Sequence, residues 1–131
     1  MVMAMSVELP LGDPQVSRIA FDFSLSFVTA AGAEIKIETP FRLKRTNMAE
    51  TTLDPEDLAV AASTLVSLLR QQIEAATAKA DGSLLVLFGD GTEITVPPAE
   101  RYEAWTFAGL DGVKAVATPG GGLTTWGLRQ T

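Results

Sequence analysis

Apolar and polar residues alternate strictly through IAFDFSLSF, with Ile19, Phe21, Phe23, Leu25 and Phe27 on one side and Ala20, Asp22, Ser24 and Ser26 on the other. A period of two predicts a half-buried strand, here bent midway. Ala30 to Gly32 supplies a turn, and AEIKIE alternates again with Ile35 and Ile37 inward, so a hairpin follows. Beyond Pro40, Phe41 and Leu43 alternate against Arg42 and Lys44. This predicts a short strand near a sheet edge, because proline cannot donate to a ladder. RTNMAETTL is polar and without period, and reads as a loop.

The period changes at Asp54, which can cap a helix; Pro55 suits the first helical position, and Glu56 and Asp57 complement the helix dipole. Leu58, Ala61, Ala62, Leu65, Leu68 and Leu69 recur at helical spacing, with Arg70 near the far end. Val60 and Val66 widen the apolar surface beyond one stripe, so the helix is expected to be sandwiched by the sheet and a loop or by a partner subunit. Ser63, Thr64 and Ser67 interrupt it, and it falls short of the roughly 20 apolar residues of a bilayer span.

The second half echoes the first. Gln15-Val16 opens a segment that reaches GAEIKIETP, and Gln72-Ile73 opens one that reaches GTEITVPP at nearly the same separation. The comparison predicts a strand from Ile73 to Lys79, although helix propensity alone would carry the helix on to Gly82. Asp-Gly pairs at 81–82, 90–91 and 111–112 separate apolar runs, and such pairs tolerate the left-handed angles of tight turns. A meander of SLLVLF, TEITVP, YEAWTFAG and VKAVATP results, with SLLVLF central because it is apolar on both faces, and with Glu93 and Thr95 on a face open to water. The PGGG run at Pro119 to Gly122 reads as a tight reversal before a last strand from Leu123 to Leu128. The fold class expected is α+β: a predominantly antiparallel β-sheet of roughly seven to nine strands, built from two strand-and-hairpin halves with one main α-helix between them. Residues 1–131 should form a single domain with a flexible N-terminus of about 1–12.

Composition narrows the chemistry. With 47% hydrophobic and 20% charged residues the chain is of ordinary globular make-up. It has no histidine and no cysteine, which removes imidazole bases, thiolate nucleophiles, disulfides and most zinc or transition-metal sites. The segment before Arg18 lacks basic residues and a long apolar core, so it does not read as a secretory signal, and a cytoplasmic location is expected. A net charge of −6 repels a phosphate backbone and favours a basic partner over nucleic acid or membrane. Arg42, Lys44 and Arg45 read as one solvated basic cluster.

No cofactor or metal is implied. PGGG lacks the spacing of a Walker loop or a dinucleotide fingerprint, and no Asp-x-Asp-x-Asp calcium loop occurs. Carboxylates cluster at Asp54, Glu56 and Asp57, at Glu100 and Glu103, and in turns at Asp90 and Asp111, each with a structural reading; Asp22 is the one candidate sheltered by neighbouring phenylalanines, with its side chain turned away from them. The aromatics Tyr102, Trp105 and Trp126 are the candidate binding residues, since large rings with one polar atom suit an interface or a pocket. The competing reading makes Trp105 and Trp126 core aromatics that fasten the final strands.

In YEAW…DG…PGGGL…W the chain resembles an actinobacterial domain family of unknown function. The resemblance extends from Val16 to Trp126 and implies two strand-and-hairpin halves around one helix and an intracellular bacterial setting; it transfers no catalytic or ligand residue. The expected function is a non-enzymatic protein-binding module, an immunity-type or regulatory inhibitor of a basic partner. The alternatives are a small-molecule-binding domain using the C-terminal aromatics and a carboxylate-based enzyme. The doubly apolar helix and the edge near Pro40 also predict a homodimer.

Overall fold

The structure, a computed structural model, describes residues 6–128. Its strands are β1 (Ser6–Glu8), β2 (Val16–Phe21), β3 (Leu25–Thr29), β4 (Glu34–Ile37), β5 (Phe41–Lys44), β6 (Thr51–Leu53), β7 (Ile73–Lys79), β8 (Leu84–Phe88), β9 (Glu93–Val96), β10 (Trp105–Ala108), β11 (Lys114–Ala117) and β12 (Leu123–Trp126). One short helix, α1 (Ala62–Val66), follows a 3-10 turn at Ala59–Ala61. The strands form two six-stranded sheets, ordered β1-β7-β8-β9-β5-β6 and β12-β11-β10-β4-β3-β2, in which every described pairing is antiparallel. The fold is α+β and mostly antiparallel, in two halves.

The halves are related by more than sequence. Each begins with a three-stranded meander, β2-β3-β4 or β7-β8-β9, and each then sends its next strand into the other sheet, so that β5 pairs with β9 and β10 with β4. Both meanders carry a bulge at the same place, between Val16 and Arg18 and between Ile73 and Ala75. Gln15 and Gln72, which occupy equivalent places in the two halves, form an antiparallel bridge. Around it the bonds are reciprocal: Val16 N–H donates to Gln71 C=O at 2.9 Å and Ile73 N–H to Pro14 C=O at 2.9 Å. A local two-fold therefore passes through this bridge. The side chains between the sheets form one core, with Leu25, Phe27, Ile35 and Ile37 from one meander and Leu84, Val86, Phe88 and Ile94 from the other. The Phe27 and Phe88 rings meet there at 5.3 Å and a tilted angle of 58°.

Several sequence expectations are corrected. IAFDFSLSF is two strands, because the chain reverses at Phe23, whose φ is 51°. The strand after Pro40 is interior, since β5 is paired on both sides, and the segment read as a loop supplies β6. The described residues form twelve strands rather than seven to nine. Residues 6–12 include β1, with Leu9 and Leu11 buried, and residues 1–5 of the N-terminal stretch lie outside the described residues. The Asp54 carboxylate accepts from Glu56 N–H at 2.9 Å within a turn, and the helical ladder starts only at Ala59. Leu58, Leu65 and Leu68 do face the core, but Val60 and Val66 are exposed, so within this chain the described residues cover the helix on one side.

Candidate functional site

The three aromatics proposed from the sequence fall in three different environments. Trp105 opens β10 and is fully buried, with its indole N–H donating to Gly82 C=O at 2.8 Å. Gly82 belongs to the β7–β8 turn, which the PGGG reversal touches: Gly122 N–H donates to Asp81 C=O at 3.0 Å, Gly120 N–H to Ala99 C=O at 2.8 Å and Gly121 N–H to Thr118 C=O at 3.1 Å. All three glycine amides are thus committed to protein carbonyls, and none is presented to an anion. A Cβ on Gly82 would stand 2.6 Å from Gly122 O, so this junction closes only with glycine. In the same turn Ser83 donates to Asp81 Oδ1 through its hydroxyl at 2.6 Å and its amide at 2.8 Å, which holds the Asp81 carboxyl below the usual carboxylate range.

Trp126 does not share that core position. It lies on the edge strand β12, 49% exposed, with Lys114 Nζ 5.5 Å from the ring centroid on the neighbouring strand. The reason is the sheet order: β12 is the outermost strand, and no described strand lies beyond it. The expectation that both tryptophans fasten the core therefore holds for Trp105 and fails for Trp126.

Tyr102 is 68% exposed and lies in the link between β9 and β10, where Pro97 and Pro98 end the preceding strand. Across from it runs the other crossover, Glu38 to Pro40, between β4 and β5. Glu38 N–H donates to Ala104 C=O at 2.9 Å and Thr39 Oγ1 donates to the same carbonyl at 3.4 Å, so the two crossovers are tied. Two recesses share Tyr102 and Glu38. One, about 510 Å³, is completed by Arg101, Glu103 and Pro119; the other, about 370 Å³, by Thr39, Pro40, Asp54 and Glu56. Glu56 also borders a third, of about 390 Å³, between Phe21 and Phe23 of the β2–β3 reversal and Leu58 and Ala62. Four carboxylates thus surround an exposed phenol, and Arg101 is the only basic side chain lining the two Tyr102 recesses among the described residues.

These acids come from positions 38, 54, 56 and 103: the β5–β6 hairpin, with Phe41 opposite Leu53, brings Asp54 and Glu56 beside Glu38, and the exchange that pairs β10 with β4 adds Glu103. In the sequence Asp54 and Glu56 read as a helix start and Glu103 as a strand entry, with no local signal joining them to Glu38. They do not converge on one point: no three of Asp, Glu, His and Cys form a metal-binding group among the described residues. Tyr102 and Trp126 are not brought together, since Tyr102 sits beside Pro119 while Trp126 lies at the far end of β12.

The description "Family of unknown function (DUF6188)" fits residues 7–127. The chain belongs to this family. The DUF6188 match takes in both halves and the strand exchange between them, so the whole architecture is the family's unit. No curated protein matches the chain, and no solved structure matches it. No helix among the described residues is long and apolar enough to cross a membrane.

Proposed function

We propose that the protein is a non-enzymatic protein-binding module, of the immunity or regulatory-inhibitor type, whose acidic face takes a basic segment of another polypeptide. The observation that carries this reading is the exposed Tyr102 set among Glu38, Asp54, Glu56 and Glu103. Tyrosine offers a large contact surface at low entropic cost, and spread carboxylates complement lysine and arginine side chains while steering a cationic partner inward. The net charge of −6 adds to that field. Trp105, being sealed, takes no part; it holds β10 so that Tyr102 is displayed. A cytoplasmic, actinobacterial setting belongs to the same proposal, supported by the lack of cysteine and by the YEAW…PGGGL…W resemblance.

The test is affinity purification from the native host with the wild-type protein and two variants, Tyr102→Ala and Glu38→Lys/Glu103→Lys, after circular dichroism has shown them folded. A basic protein recovered in stoichiometric amount by the wild type, released by salt and lost from both variants is the expected result. Recovery that both variants leave unchanged places the binding surface elsewhere and overturns the reading.

A further inference from the structure

The local two-fold makes one asymmetry visible. In the second half the outer edge of β7 is covered: β1 runs antiparallel along it with Val7 opposite Ala78, and Leu9 N–H donates to Ala76 C=O at 2.8 Å. The equivalent edge of β2 is paired only at its start, where Arg70 N–H donates to Val16 C=O at 2.8 Å. Beyond Val16 no described strand lies along it. Asp22 N–H bonds across the reversal to Ser24 C=O at 3.0 Å, so by strand alternation Ala20 also faces β3, while Ile19 and Phe21 turn their N–H and C=O groups outward. Ala76 and Ala78, which hold the corresponding places on β7, are 1% and 0% exposed; Phe21 is 43% exposed. An edge with free backbone groups and an apolar side chain beside them is a template for another strand.

The residues along this edge specify which strand. Arg18-Ile19-Ala20-Phe21-Asp22 is complementary to itself when read antiparallel. With Ala20 opposite Ala20 of a second copy, Arg18 lies across from Asp22, and Ile19 lies across from Phe21. The outward backbone groups of Ile19 and Phe21 then meet as hydrogen-bonded pairs, and the ion pairs occupy the non-bonded positions, where cross-strand side chains approach most closely. Arg18 and Asp22 are both exposed, and neither forms an ion pair with another described residue. We infer that β2 is an association edge for a second copy of this chain, joining two molecules about a two-fold axis through Ala20 into one continuous sheet. Tyr102 does not line the recess beside Phe21 and Phe23, although Glu56 borders it; the association edge is argued from Arg18 to Asp22 alone and is tested at residues the acidic-face reading does not use.

The chain has no cysteine, which gives a direct test. Non-bonded antiparallel partners have Cα atoms about 4.5 Å apart, within disulfide range. Oxidised Ala20→Cys should run as a covalent dimer, whereas Thr124→Cys, on the edge strand β12, should stay monomeric. In light scattering the wild type should show twice the 13.9 kDa monomer mass. Arg18→Asp and Asp22→Arg should each weaken association by about tenfold or more, because every swap replaces two attractive contacts with two repulsive ones. The double variant Arg18→Asp/Asp22→Arg should restore it, which a folding defect would not do. A wild type that stays monomeric at high concentration, an Ala20→Cys variant that fails to cross-link, or a double variant no tighter than the single ones overturns the inference.

Discussion

At the scale of single residues, the indole of Trp105 does two jobs that can be separated. Its ring fills core volume, and its N–H satisfies Gly82 C=O, joining β10 to the β7–β8 turn across the molecule. Trp105→Phe keeps most of the ring but leaves that carbonyl without its donor, and should lower stability by about 1–3 kcal/mol. Trp105→Ala also opens a cavity and should cost about 3–5 kcal/mol. Trp126→Ala, at a half-exposed position on an edge strand, should fall within about 1 kcal/mol of the parent. Denaturant midpoints of the three variants check the order; a Trp126→Ala loss as large as that of Trp105→Ala would contradict the burial difference. In the sequence both rings are core candidates, because each is a large aromatic on one of the final expected strands. What separates them is the position of their strands in the sheet, which no local pattern encodes.

Among the elements, the β7–β8 hairpin turn has its own acid sensitivity. Asp81 is stabilised as a carboxylate by Ser83, so its folded-state pKa lies below the unfolded one. The sign follows: the contribution is complete above the unfolded value of about 3.9, and it is lost as pH falls through the lowered folded value. Asp81 is exposed, and solvent screening keeps the effect small. An NMR titration of the Asp81 carboxyl should give a midpoint below that of a free aspartate, and Ser83→Ala should move it upward; no movement would remove the cause assigned here. Hairpins at Asp-Gly turns were legible because glycine and aspartate mark them locally. The β2–β3 reversal was not, for a geometric reason. Phe23 alone forms its tip, so Phe21 and Leu25 pair directly and fall on the same face, and strict alternation passes through the turn unbroken. The helix was legible as a buried face, Leu58, Leu65 and Leu68, but not in its length. The chain leaves the helical ladder early to bring Arg70 and Gln71 onto Val16, a contact with the other half that local propensity does not include.

For the molecule as a whole, the likeness of the two halves was readable from Gln15-Val16 and Gln72-Ile73, while the trading of strands between them was not, because an exchanged strand and a retained one have the same pattern. That trade has a consequence for how the chain can be made. Were it opened beside the exposed Val60, each fragment would hold a meander whose neighbouring strand is on the other piece: β4 would lack β10, β9 would lack β5, and β7 would lack β1. Neither piece could close a core alone, and together they would restore every described pairing. Fragments 1–60 and 61–131, prepared separately, should each lack cooperative unfolding, and an equimolar mixture should regain it together with short-wavelength emission from Trp105. A fragment that folds unaided would show that its sheet needs no borrowed strands. If the mixture succeeds, a gene for this chain could be divided in two without loss of the fold, and joining the halves in one polypeptide serves to fix their stoichiometry and raise their effective concentration rather than to define their structure.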